Sequence, residues 1–161
     1  MSERQIPLLL EPEELTKHIN NKNLCIIDLS SEENYIAGHI AGAIYLPFQA
    51  LLKGEPPVPG KRASEQQLNH VFNVLGIKED THIIACDDEG GGWAGRLIWT
   101  LDVIGHKNYS YLNGGMRAWK AEGFEVETQI HQPTPNSPER QFTIDPRPIA
   151  NMDDILESLN N

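Results

Sequence analysis

Four short apolar runs, separated by stretches of helix length, constrain this chain more than any other feature. They are Leu24-Cys25-Ile26-Ile27-Asp28, Ala43-Ile44-Tyr45-Leu46, His82-Ile83-Ile84-Ala85-Cys86 and Tyr109-Ser110-Tyr111-Leu112. A run of four or five residues that is apolar almost throughout is the pattern of a strand covered on both faces. The stretches between them carry helix signals. Glu11-Pro12-Glu13-Glu14 sets a proline and carboxylates where a first helical turn accepts them. Ser64-Glu65-Gln66-Gln67 reads as a capping box, followed by Leu68, Val71, Phe72 and Leu75 at helical spacing, with Gly76 as the C-cap. A further helix is predicted through Trp93, Leu97, Ile98, Leu101 and Ile104 to Gly105, and a short one from Met116 to Glu122, closed by Gly123. Strands alternating with helices mean βαβ units and an α/β fold: a parallel sheet with helices on both faces. In such a sheet the working loop lies beyond the carboxyl end of a strand, where a helix N-terminus offers free N–H groups. The turn from Cys86 to Trp93 is expected to be that place.

The 161 residues leave room for one domain with a substantial core, and a share of 39% apolar and 22% charged residues fits a soluble globular protein. No apolar run approaches the roughly 20 residues that span a bilayer, and Met1-Ser2-Glu3-Arg4-Gln5 has no signal-peptide character. With Cys25 and Cys86 as the cysteines there is neither a disulfide framework nor a CxxC metal signature, so a cytoplasmic, reducing setting is expected, with no cofactor and no resident metal. A net charge of −10 argues against nucleic acid and against an anionic membrane as partners. A small anionic substrate would have to be held by local amides or an arginine.

After Thr128 the periodic pattern dissolves. Five of the eleven prolines fall between Pro133 and Pro148, which predicts a Pro-rich linker over residues 129–149 after a domain spanning 1–128. The remaining residues, 150–161, open a new helical pattern that repeats the start of the chain. Glu13-Glu14-Leu15 matches Asp153-Asp154-Ile155, Ile19 matches Leu159, and Asn20-Asn21 matches Asn160-Asn161, all at one offset. Either two acidic helices look alike by chance, or a second copy of the domain begins here.

Three stretches in order resemble the rhodanese homology family. Asp28, then Gly38-His39-Ile40-Ala41-Gly42-Ala43, is similar to its first signature; Leu112-Asn113-Gly114-Gly115-Met116-Arg117-Ala118-Trp119 with Gly123-Phe124 is similar to its C-terminal one. Between them, Cys86-Asp87 through Arg96 to Trp99, with Gly105-His106, resembles the active-loop region. The resemblance covers about residues 11 to 128 and implies a rhodanese-like, parallel five-stranded sheet. It also implies transfer of sulfane sulfur from thiosulfate or mercaptopyruvate through a cysteine persulfide, although many copies of the domain are inactive. Under it His39 is a structural histidine bonded to backbone, Gly114-Gly115 lets strand and helix turn closely, Trp119 is core and Asp28 orders a loop. The family often has an arginine two residues after that aspartate; here it is Ser30, so an ion pair is missing.

An active rhodanese loop runs Cys-x-x-Gly-x-Arg or similar, its sulfur set among backbone amides. Here the loop is Asp87-Asp88-Glu89-Gly90-Gly91-Gly92-Trp93-Ala94-Gly95-Arg96. In one register Cys86 is the nucleophile. In the other Cys86 ends the strand and Asp87 stands where the nucleophile would be, as in the first halves of tandem sulfurtransferases. The second register fits better, because Asp87, Asp88 and Glu89 would oppose a thiolate at Cys86 and Arg96 could offset one charge, not three. The leading expectation is thus the structural N-terminal half of a tandem thiosulfate/3-mercaptopyruvate sulfurtransferase, inactive alone, with a second rhodanese-like domain of the same protein as partner and self-association of the separate piece as a corollary. Two alternatives stay open: a single-domain enzyme carrying a persulfide on Cys86, and a divalent-cation module using Asp87, Asp88 and Glu89.

Overall fold

A computed structural model describes residues 6–52 and 64–142. Chain order runs β1 (Leu9–Leu10), α1 (Pro12–Thr16), β2 (Leu24–Asp28), α2 (Glu32–Ala37), β3 (Ile44–Tyr45), α3 (Glu65–Val74), β4 (His82–Cys86), α4 (Gly92–Val103), β5 (Tyr109–Leu112) and α5 (Gly115–Ala121). A 3₁₀ turn, Phe48–Leu51, follows β3. The five strands form one sheet in the order β1-β5-β4-β2-β3, every pair parallel. The chain leaves β2 outward to β3, then returns past β2 to β4 and goes out the other way to β5. The direction of winding therefore reverses between β2 and β4, and the crevice of an open parallel sheet lies at such a reversal. Asp28 and Cys86 are register partners there.

Strand alternation sorts the core into two layers. Ile27, Ile83 and Ala85 face α3 and α4, joining Leu68, Phe72, Leu97 and Leu101. Ile26, Ile84 and Cys86 face the other way, joining Leu15, Tyr35, Met116 and Trp119 from α1, α2 and α5. Each fully buried aliphatic side chain contributes about 1.5–3 kcal/mol, so both layers are needed for a sheet this short.

Local signals explain most element starts. Glu11 and Glu14 form a capping box around Pro12 at α1. At α3 the Ser64 hydroxyl accepts the Gln67 amide at 3.1 Å, but the Gln67 side chain donates to the Ala50 and Leu52 carbonyls instead of turning back to Ser64. The bond that was expected within the helix is used to fasten the 3₁₀ turn to it. Helix α2, capped by Ser31, and the edge strand β1 were not anticipated.

Part of the expected Pro-rich linker, residues 129–142, falls among the described residues. Residues 129–142 have no helix or strand, yet they are packed on α3. Phe142 is 3% exposed and lies against Phe72, with ring centroids 5.9 Å apart. Asn73 donates to the Arg140 carbonyl at 2.8 Å and accepts from the Arg140 amide at 2.7 Å and from the Asn136 side chain at 3.0 Å. Proline removes backbone donors; here asparagine side chains supply the bonds that a strand ladder would have made. The proposed repeat at 150–161 lies outside the described residues. Among the described residues no helix is long and apolar enough to cross a membrane.

Candidate functional site at the end of the fourth strand

Beyond Cys86 the chain turns sharply through glycine. Gly91 has φ +98°, and a Cβ there would come within 2.2 Å of the Tyr111 hydroxyl, so both conformation and space demand glycine. The turn aims backbone amides inward, and the Asp87 carboxylate receives them. Its Oδ1 accepts from Glu89 N at 3.0 Å and Gly91 N at 2.9 Å; its Oδ2 accepts from Ala94 N at 2.8 Å. Ala94 lies in the first turn of α4, so the carboxylate sits at the positive end of that helix. Asp87 is 1% exposed. Its own carbonyl accepts from Met116 N at 2.9 Å, and a Cβ on Gly115 would lie 2.4 Å from that oxygen. The Gly114-Gly115 pair thus lets the start of α5 close on the loop.

Cys86 is adjacent in sequence and opposite in environment. Strand parity turns it away from α4 into the layer of Met116 and Trp119, where it is fully buried. Its Sγ donates to the Ile27 carbonyl at 3.7 Å. Burial pushes the thiol well above its ordinary value, and the charges of Asp28, Asp87 and Asp88 add to the effect. A thiolate nucleophile needs the reverse: amide donors or positive charge directed at the sulfur.

The other anticipated residues are spread around this pair. Asp88 accepts a bond from the Asn34 side chain on α2, which the sequence reading did not single out, and its Oδ1 has no partner among the described residues. Glu89 is exposed. A cleft of about 260 Å³ beside the loop is lined by Asn34, Asp88, Glu89, Met116, Arg117 and Lys120, with neither Cys86 nor Asp87 on its wall. Trp93 stacks on Phe48, centroids 4.0 Å apart, and the Arg96 guanidinium lies 4.6 Å from the centre of the Trp99 ring. Asp28 and Ser30 are buried at the end of β2. Ser30 N donates to Asp28 Oδ1 at 2.8 Å, while Asp28 Oδ2 and the Ser30 hydroxyl have no partner among the described residues. Trp119 is in the core and donates to the Glu125 carbonyl.

The cation-module alternative is corrected by this geometry. Asp87, Asp88 and Glu89 do not converge: the oxygens of Asp87 are taken by amides and Asp88 turns to Asn34. Among the described residues the group of three potential ligands that does converge is His39, Glu127 and His131.

The rhodanese-like domain family matches residues 11–122, from the first turn of α1 through α5. The chain belongs to the rhodanese family. This rhodanese domain is 38% identical over 154 residues to the thiosulfate sulfurtransferase of Azotobacter vinelandii, covering 96% of this chain and 56% of that protein. It is 41% identical over 128 residues to the thiosulfate sulfurtransferase of Pseudomonas aeruginosa, covering 80% and 47%. Among solved structures it is similar to SseA from Escherichia coli, described as a 3-mercaptopyruvate sulfotransferase, with TM-score 0.72, 25% identity and coverage of 86% and 55%. The chain spans about half the length of the relatives it matches.

Proposed function

We propose that this rhodanese domain is the N-terminal, non-catalytic half of a tandem thiosulfate/3-mercaptopyruvate sulfurtransferase, and that Asp87 holds the position a nucleophilic cysteine takes in active copies. The observation that carries this reading is the Asp87 carboxylate accepting three backbone amides at the N-terminus of α4. A ring of inward amides is suited to a thiolate, a persulfide or an anionic donor. With a carboxylate tethered at its centre the ring is already filled by an anion. An incoming thiosulfate would have to displace a buried, hydrogen-bonded charge that cannot diffuse away.

Coverage of about half of each relative supports the same reading. The second half, a rhodanese-like domain of the same protein, would carry the persulfide and meet thiosulfate or mercaptopyruvate, and this half would pack against it. A persulfide on Cys86 would need a thiol from the apolar core to reach solvent, which its parity on β4 opposes.

The test is sulfur transfer from thiosulfate to cyanide by the purified chain, with Cys86→Ser as control. Turnover is expected to stay at background for both. Robust turnover that disappears in Cys86→Ser would replace this reading with the single-domain enzyme.

A further inference from the structure

A second polar cluster lies away from the loop, where the chain leaves α5 and passes beside the end of α2. His39 and Glu127 form an antiparallel bridge: His39 N donates to the Glu127 carbonyl at 2.9 Å and Glu127 N to the His39 carbonyl at 2.7 Å. That pairing holds their side chains together. His39 Nε2 is 3.6 Å from Glu127 Oε1, and His131, four residues on, brings its Nε2 to 2.5 Å from the same oxygen. All three potential ligand atoms lie within 4.8 Å of one another.

The hydrogen-bond count around His39 asks for a cation. The ring is fully buried and stacked on Tyr35, centroids 3.9 Å apart. Nδ1 lies 2.8 Å from the Tyr35 carbonyl and Nε2 lies 2.7 Å from the Gln129 carbonyl. Carbonyl oxygens only accept, and a neutral imidazole has one N–H. If Nδ1 donates to Tyr35, the Nε2 lone pair faces the Gln129 oxygen and, close by, the Glu127 carboxylate. A positive centre between them would relieve that arrangement of lone pairs. A histidine that donates one ring N–H to a backbone carbonyl and turns its other nitrogen to a shared point is also how metal-ligating histidines are oriented.

We infer that His39 Nε2, the Glu127 carboxylate and His131 Nε2 bind one divalent ion of the zinc class, with the Gln129 carbonyl or a water completing the site. Two imidazoles and a carboxylate suit Zn²⁺ or Co²⁺ rather than Ca²⁺ or Mg²⁺, which prefer all-oxygen sets. Ligands about 2.0–2.1 Å from a tetrahedral ion stand roughly 3.3 Å apart. The Glu127–His39 spacing is close to that. The Glu127–His131 spacing and the 2.7 Å His39–Gln129 spacing must both widen; Glu127 Oε1 also accepts from Gly42 N at 2.9 Å, so the adjustment falls mainly on His131, whose side chain is 33% exposed. The ion would pin the segment that leaves α5 onto the turn after α2. This site is independent of the reading of Asp87.

The test titrates the purified chain with Zn²⁺ alone by calorimetry and with Co²⁺ by visible absorption. One equivalent is expected to bind, with a tetrahedral Co²⁺ spectrum and a rise in melting temperature. His131→Ala and Glu127→Gln should each weaken uptake at least about tenfold, whereas His70→Ala should leave it unchanged. Urea denaturation without metal checks that the variants are folded; His131 is chosen because its partly exposed ring can be removed without opening the core. Absence of stoichiometric uptake, or uptake indifferent to His131→Ala and Glu127→Gln, would overturn the site.

Discussion

Asp28 and Asp87 are both about 1% exposed and lie at the carboxyl ends of neighbouring strands, yet they are solvated in opposite ways. Around Asp87 the chain turns through glycine and points three amides at the carboxylate. Around Asp28 one amide, that of Ser30, reaches Oδ1, and Oδ2 has no partner among the described residues. Burial accordingly pushes the Asp28 carboxyl up from 3.8; Ser30 opposes this in part, and the Asp88 charge adds to it. The contrast teaches that a buried carboxylate is stabilised by the backbone conformation after it, not by strand-end position.

The largest expected effect comes from breaking the better-solvated member. Asp87→Ala leaves three inward amides without an acceptor, and a loss of about 3–4 kcal/mol is expected in urea denaturation. Added thiosulfate or sulfate should recover part of it by filling the ring. A loss under about 1 kcal/mol would mean that the amides have other partners and the contrast is false.

The thiols extend the comparison, since burial without donors penalises any anion. Burial raises Cys25 from 9.0 to about 11. A folded value above the unfolded one means that the native state keeps its proton longer, so stability is full below pH 9 and falls as pH rises from 9 to about 11. The expected loss is up to about 3 kcal/mol, with Cys86 acting in the same direction. Denaturation curves across that range, repeated with Cys25→Ala, should show a shallower fall in the variant. An identical fall would remove Cys25 from the account.

The smallest effect has the opposite sign. Asp28→Asn keeps the acceptor for Ser30 N and removes the charge, so the variant should be about 1 kcal/mol more stable at pH 7. Below pH 3.8 both folded and unfolded Asp28 are protonated, and the advantage should vanish. Destabilisation at pH 7 would show that the Asp28 charge has a partner.

Much of this was legible in the sequence, for reasons that differ by region. The two longest buried runs lie where expected as β2 and β4, and so does the glycine-broken turn after β4, because a strand covered on both faces leaves an unbroken apolar signature. The two-residue β1 was not legible: Leu9 is exposed, and a pair of residues has no period. Helix α2 was announced by Ser31 with Glu32 and Glu33 in its first turn, and its shortness hid it. The packing of residues 129–142 depends on Asn69 and Asn73 bonding across more than sixty positions, which local composition cannot report. At the site the residue types were readable, but their directions were not. Which amides turn inward depends on the left-handed backbone at Gly90 and Gly91. The side on which Cys86 falls follows from parity with Ile84, a signal that was present in the sequence.

The most direct measurement is intact mass after exposure to thiosulfate and removal of excess reagent, for the native chain and for Asp87→Cys. Attack by a thiolate on the outer sulfur would form a persulfide and release sulfite, adding the mass of one sulfur atom. The native chain is expected to gain nothing. The Asp87→Cys variant, with its new thiol among the amides of Glu89, Gly91 and Ala94, is expected to gain one sulfur. Sulfur uptake by the native chain, abolished by Cys86→Ser, would contradict the account.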